Sequence, residues 1–232
     1  MTLPILNTAK YELTLPSTGE TVEYRPFLVK EEKLLLLAQE SNDEKEILKA
    51  VENIIDECCF KKLNPKKLPI FDLEYVFIQL RSKSIGEVSE ISIKCPDDNE
   101  TEVKVEIDLN DVKCIKSENH SNKIQLTDDI GVIMSYPRLG TVSDFKDEGS
   151  KSVFEIIKNC VAQIYDEENV YDRNDISDKE LDQFINSMSH QQFMKVQDFF
   201  DTAPKVKYVT KVKNPKTKVV SDLEIEGLQN FF

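Results

Sequence analysis

The sequence predicts an α+β protein in which β-hairpins bracket two groups of amphipathic helices. Three observations carry that reading. Apolar residues alternate with polar ones around turn-forming residues at both ends of the chain and in its middle. They recur at helical spacing in the two intervening stretches. Two serine-headed capping signals then open consecutive short helices.

In chain order, Tyr11, Leu13 and Leu15 alternate before Ser17-Thr18-Gly19, and Val22 and Tyr24 alternate after it, which reads as a hairpin whose second strand ends at Pro26. A helical stretch begins near Lys30. Ile47, Val51, Ile54, Ile55 and Cys58 mark a second helix, and Leu73, Val76, Phe77 and Leu80 a third. The period then changes to two: Ile91, Ile93 and Cys95, then Val103, Val105, Ile107 and Leu109, flank a polar turn at Asp97-Asp98-Asn99. A lone strand over Gly131 to Tyr136 leads into a helix read from Val153 through Ile156, Ile157, Cys160 and Val161 to Ile164. Ser177 with Glu180, and Ser189 with Gln192, open two further helices. After Pro204, Val206, Tyr208, Thr210 and Val212 form a strand that turns at Asn214-Pro215 and returns through Val219, Leu223 and Ile225. The expected regions are residues 1–88, 89–140, 141–204 and 205–232, arranged as one or two lobes.

The last two hairpins share a likeness. Lys94-Cys95-Pro96 and Lys213-Asn214-Pro215 open their turns, and Val105-Glu106-Ile107-Asp108 parallels Leu223-Glu224-Ile225-Glu226. Duplication of a hairpin unit and chance similarity of short amphipathic strands both account for it. Cys95-Pro96 at a turn resembles half of a zinc ribbon, whose tetrahedral site needs four thiolate or imidazole ligands. The matching turn, Asn214-Pro215-Lys216-Thr217, supplies no thiolate, so the hairpins read as degenerate and zinc-ribbon-like, folding without metal.

Composition excludes several classes of function. A chain of 232 residues with 40% hydrophobic and 31% charged residues can build its own core. A formal net charge of −13 opposes phosphate backbones and anionic lipid, so neither nucleic acid nor membrane is an expected partner. Lysines cluster at Lys61, Lys62, Lys66 and Lys67 and again from Lys205 to Lys218, without the aromatic ladder that would stack bases. The longest apolar run, Leu34 to Ala38, falls far short of the roughly 20 residues that cross a bilayer. Five cysteines at irregular spacing, behind no secretory signal, fit reduced thiols in a cytosol.

Catalytic patterns are missing. The two histidines, His120 in a polar loop and His190 beside a helix start, read as surface residues. Six glycines form neither a dinucleotide fingerprint nor a phosphate-binding loop, and Asp97-Asp98-Asn99-Glu100 lacks the spaced ligands of a calcium loop. Cys58 and Cys59 sit on a helix stripe suited to packing. The reading is therefore a non-enzyme with no cofactor and no metal. A hydrolase built from convergent carboxylates is the remote alternative.

Four stretches carry a family resemblance. They are Tyr24-Arg25-Pro26-Phe27-Leu28-Val29-Lys30-Glu31-Glu32-Lys33-Leu34-Leu35, Leu68-Pro69-Ile70-Phe71-Asp72-Leu73-Glu74-Tyr75, Gln79-Leu80-Arg81-Ser82-Lys83-Ser84-Ile85-Gly86-Glu87, and the ending Gly227-Leu228-Gln229-Asn230-Phe231-Phe232. Together they resemble the baseplate hub proteins of T-even-type contractile-tailed bacteriophages, over nearly the whole chain. The resemblance implies a viral late protein whose partners are other baseplate hub and tail proteins, working in the cytoplasm of the infected host. It implies either an assembly factor, the preferred reading, or a structural subunit retained in the virion. Arg25, Pro26 and Phe27, with the helix after them, form one candidate partner-binding surface, since an Arg beside an aromatic suits an interface anchor. The alternative is a strand end that packs its Phe into the core. Phe231 and Phe232 form a second candidate, to be buried against the protein's own hairpin or against a partner.

Overall fold

The computed structural model of the chain describes residues 6–41, 43–139, 150–227 and 230. It divides into two units, one made of Met1–Ile115 with Lys205–Phe232 and the other of Lys116–Pro204. The class is α+β, with several small antiparallel sheets.

The first unit opens with a hairpin of β1 (Tyr11–Thr14) and β2 (Thr21–Tyr24). Three helices follow: α1 (Val29–Ser41), α2 (Glu44–Cys58) and α3 (Ile70–Ser84). The stripes predicted from spacing are the buried ones, except that Ile47 at the start of the α2 stripe is half-buried. On α2, Val51, Ile54, Ile55 and Cys58 are fully enclosed, and on α3 so are Leu73, Val76, Phe77 and Leu80. A hairpin of β3 (Val88–Lys94) and β4 (Glu102–Asp108) comes next. β5 (Lys113–Ile115), which the sequence did not announce, pairs antiparallel with β10 (Lys205–Lys213), and β10 with β11 (Val220–Glu226), in the order β11-β10-β5.

One turn is used three times in this unit: at Leu15-Pro16-Ser17-Thr18-Gly19, Cys95-Pro96-Asp97-Asp98-Asn99 and Asn214-Pro215-Lys216-Thr217-Lys218. In each, the fifth residue donates its N–H to the carbonyl of the first, at 2.8, 2.9 and 3.0 Å. The fifth residue is left-handed each time, with φ 72°, 55° and 68°, where glycine is easiest and asparagine next. The first residue is buried each time and the second is proline. The likeness read between the last two hairpins therefore extends to the first.

All three turns are fastened to something else in the unit. The Ser17 amide and hydroxyl both donate to the buried Asp72 carboxylate of α3, which joins the first turn to that helix. The Asn214 side-chain amide donates to Asp97 Oδ1 at 3.0 Å and to Asp98 Oδ2 at 2.9 Å, which joins the third turn to the second. Thr217 adds its hydroxyl to Asp97. These bonds hold both aspartates below the ordinary carboxylate value, the largest influences being Thr217 on Asp97 and Thr101 on Asp98.

The second unit is a sheet ordered β6-β7-β8-β9, from β6 (Lys123–Gln125), β7 (Gly131–Met134), β8 (Val161–Tyr165) and β9 (Val170–Asp172), with helices α4 (Ser150–Cys160), α5 (Asp178–Asn186) and α6 (His190–Asp201). Its core gathers Ile124, Val132, Ile157, Leu181, Val196 and Phe199 among others. Both predicted capping boxes are present in full, at Ser177 with Glu180 and at Ser189 with Gln192. Two expectations are corrected here. The strand at Gly131 is not alone, being flanked by β6 and β8. The helix read through Ile164 stops at Cys160, where the chain passes directly into β8. The register with β7 skips Ala162, and this bulge lets Val161 and Ile164, three residues apart, both be buried. Helical spacing and a bulged strand look alike in sequence.

Candidate partner-binding surface

The segment Arg25-Pro26-Phe27 links β2 to α1, and its polar groups are spent inside the chain. The Arg25 amide donates to the Cys58 carbonyl at 3.0 Å. Its guanidinium donates to Glu31 Oε1 at 2.8 Å and to the Pro26 carbonyl at 3.0 Å. Glu31 turns its other oxygen to the Leu28 amide, 2.8 Å away, so it also caps the start of α1. Burial alone would push the Glu31 carboxyl up. The hydrogen bonds from Arg25, Leu28 and Lys30 outweigh it and hold the group below its ordinary 4.5. Phe27 is half-buried, its amide donating to Ser84 Oγ at 2.7 Å and its ring lying 5.8 Å from that of Phe77. Arg25 itself is buried, and Pro26 is half-buried.

This mounting sets which way α1 faces. Glu31, Leu35 and Ala38 turn inward. Val29, Leu36 and Leu37 turn outward, 80%, 54% and 55% exposed, with Lys33 and Glu40 on the same side. Val29 and Leu36, seven residues apart, share one helix face. Val29, Leu36 and Leu37, with Leu34 at 37%, thus stand in water on a helix whose root is fixed by a buried ion pair. An exposed apolar patch of this kind marks a contact surface more often than a scatter of single residues does. The other candidates, Phe231 and Phe232, lie outside the described residues.

Among the described residues, no group of three or more His, Cys, Asp or Glu is placed to hold a metal ion. Burial pushes the Cys58, Cys59 and Cys160 thiols up to about 12 and Cys114 up to about 11, away from nucleophilic thiolate. His190 is exposed as expected. His120 is not: it is buried, its ring against those of Tyr136 and Phe199, which also touch each other. Thr202 Oγ1 donates to the Asp198 carbonyl, so it accepts from His120 Nδ1 at 2.9 Å, and Nε2 accepts from the Tyr136 hydroxyl at 3.0 Å. The partner threonine lies 82 residues away, which the sequence could not reveal. Among the carboxyls of the described residues, burial gives a net rise only to that of Asp72, which is occupied by the Ser17 turn.

No helix of the described residues is long and apolar enough to cross a membrane. No curated protein and no solved structure matches the chain. The family described as T4 bacteriophage base plate protein matches residues 8–232. That match spans all but the first few residues, takes in each of the motif stretches around Arg25, Leu68 and Gln79, and runs through the C-terminal Phe-Phe pair; the chain belongs to the T4 bacteriophage base plate protein family.

Proposed function

We propose that this baseplate protein is a non-enzymatic assembly factor for the baseplate hub, acting by contact with other hub and tail proteins in the cytoplasm of the infected cell. The observation that carries the reading is the outward Val29, Leu36 and Leu37 face of α1 on its buried Arg25–Glu31 mount. In this reading Arg25, Pro26 and Phe27 serve the interface by holding α1 in position, and Phe231 and Phe232 supply a second contact. A net charge of −13 keeps free copies apart and in solution, which suits a factor that must arrive singly and leave. The second reading is a hub subunit retained in the virion, favoured by the same apolar face if it stays covered. A tagged pull-down from infected cells, run beside mass spectrometry of purified virions, decides: hub partners in the former and absence from the latter mark an assembly factor.

The hairpin pair at Cys95 and Asn214 is proposed to be the metal-free counterpart of a zinc-ribbon knuckle pair. Cys95 and Asn214 hold the same first position in the same turn, and the Asn214 amide bridges to Asp97 and Asp98 where a shared ion would otherwise tie two such turns.

A further inference from the structure

The second unit carries a groove of about 310 Å³ that the α1 interface does not use. Its lining includes Tyr165 and Tyr171 of the β8–β9 hairpin, the apolar Ile176 and Phe184, and the carboxylates of Asp175 and Glu180. No lysine or arginine lines it. The unit around it is the more acidic of the two, with seventeen Asp and Glu against nine Lys and Arg in residues 116–204. The nearby Arg173 is already committed to Asp178 and to the Ile176 carbonyl. Asp166 at the hairpin is saturated too, accepting from the Glu168 and Asn169 amides and from the Tyr171 hydroxyl. Asp175 has no hydrogen bond or ion pair among the described residues, and Glu180 uses one oxygen on its Ser177 cap.

We infer that this groove receives an arginine side chain presented by another baseplate protein, an inference that rests on the reading of the chain as a binder of such proteins. The chemistry selects that occupant. Aromatic faces hold a cation by their quadrupole, as Tyr165 holds Lys123 4.8 Å from its ring centre; Tyr171, 45% exposed, is the ring offered to an incoming cation. A planar guanidinium stacks on such a face while its N–H fork reaches a carboxylate, which a compact ammonium does less well. The volume lies near the lower bound of ligand pockets, enough for one long side chain and a little backbone.

Two measurements on the full chain test this. In two-dimensional NMR, the tripeptide Gly-Arg-Gly should shift amides of residues 164–176 and 180–184, Gly-Lys-Gly should shift them less, and Asp175→Lys should abolish the effect. In pull-downs from infected cells, Asp175→Lys and Tyr171→Ala should each lower recovery of one identified baseplate protein by about tenfold, the scale of one well-placed contact. Shifts spread evenly over the acidic surface, or absent, would overturn the groove as a site, as would unchanged recovery by both variants at unchanged melting temperature. Self-association of the parent chain that Asp175→Lys abolishes would assign the groove to a second copy and also overturn the inference. Should Asp175→Lys fold poorly, Asp175→Asn with Tyr171→Ala decides. Tripeptide binding at the groove without capture of any baseplate protein would instead count against the assembly reading.

Discussion

One carboxylate, Glu31, ties the Arg25 guanidinium to the first turn of α1, with 2.8 Å separating it from Arg25 Nη2 and the same distance from the Leu28 amide. Both side chains of the pair are nearly out of water. Removing Glu31 takes from the buried Arg25 guanidinium its paired carboxylate, a loss of about 3–5 kcal/mol in buried pairs, whereas Glu31 without Arg25 would keep Lys30 at 3.2 Å. Glu31→Ala should lower the urea midpoint accordingly. Because the Glu31 carboxyl is held below its ordinary 4.5, its contribution is present above that value and lost as pH falls through the lowered one. The parent should therefore lose more stability than Glu31→Ala on acidification below the carboxylate range.

The outward face of α1 makes the opposite prediction. Leu36→Glu with Leu37→Lys keeps good helix formers and leaves the net charge unchanged, so stability should shift by less than about 1 kcal/mol. Recovery of baseplate proteins in a pull-down should nevertheless fall. Equal recovery at equal stability would remove α1 from the interface.

At the paired turns, Asn214→Asp exchanges a bridging amide donor for a third carboxylate beside Asp97 and Asp98. The like charges raise the new group above its unfolded value, so the variant should melt below the parent at about pH 7 and regain ground as pH falls toward about 4. Thermal scans across that range check the sign.

His120 gives a separate acid response. Burial, then the charge of Lys116, lowers its imidazole from the ordinary 6.5. The unfolded chain then takes up the proton first, so stability is full above 6.5 and falls as pH drops through it. Protonation would also turn the Nε2 acceptor into a donor facing the Tyr136 hydroxyl. His120→Gln should be less stable near neutrality and show a shallower loss between about pH 7 and about pH 5.

The capping boxes are the simplest test of local structure. Ser177→Ala and Ser189→Ala should each cost about 1 kcal/mol, additively, since they serve different helices. Urea denaturation of the two single variants and the double variant measures it.

What could be read from sequence follows the range of the interactions. The capping boxes, the α2 and α3 stripes and the three hairpins depend on neighbours within a few residues, and all were legible. β5 and β6 are three residues each and owe their existence to distant partners, so alternation had too little length to show. The passage from α4 into β8 was hidden because the bulge at Ala162 reproduces helical spacing. The Leu34 to Leu37 run disclosed apolar character without disclosing which leucines face out; that depends on how Arg25 and Glu31 seat the helix. The acidic aromatic groove draws on separate stretches from Ile130 to Phe184 and has no linear signature.

The most direct test of the account is a tagged copy recovered from infected cells during tail assembly, with mass spectrometry of the bound proteins and of finished, purified virions. The account predicts hub and tail proteins bound to the parent chain, fewer bound to the Leu36→Glu, Leu37→Lys variant, and no stoichiometric copy in virions. Stoichiometric retention in virions would contradict the assembly role in favour of a structural subunit, and recovery of no tail protein at all would contradict the claim that this chain works by binding them.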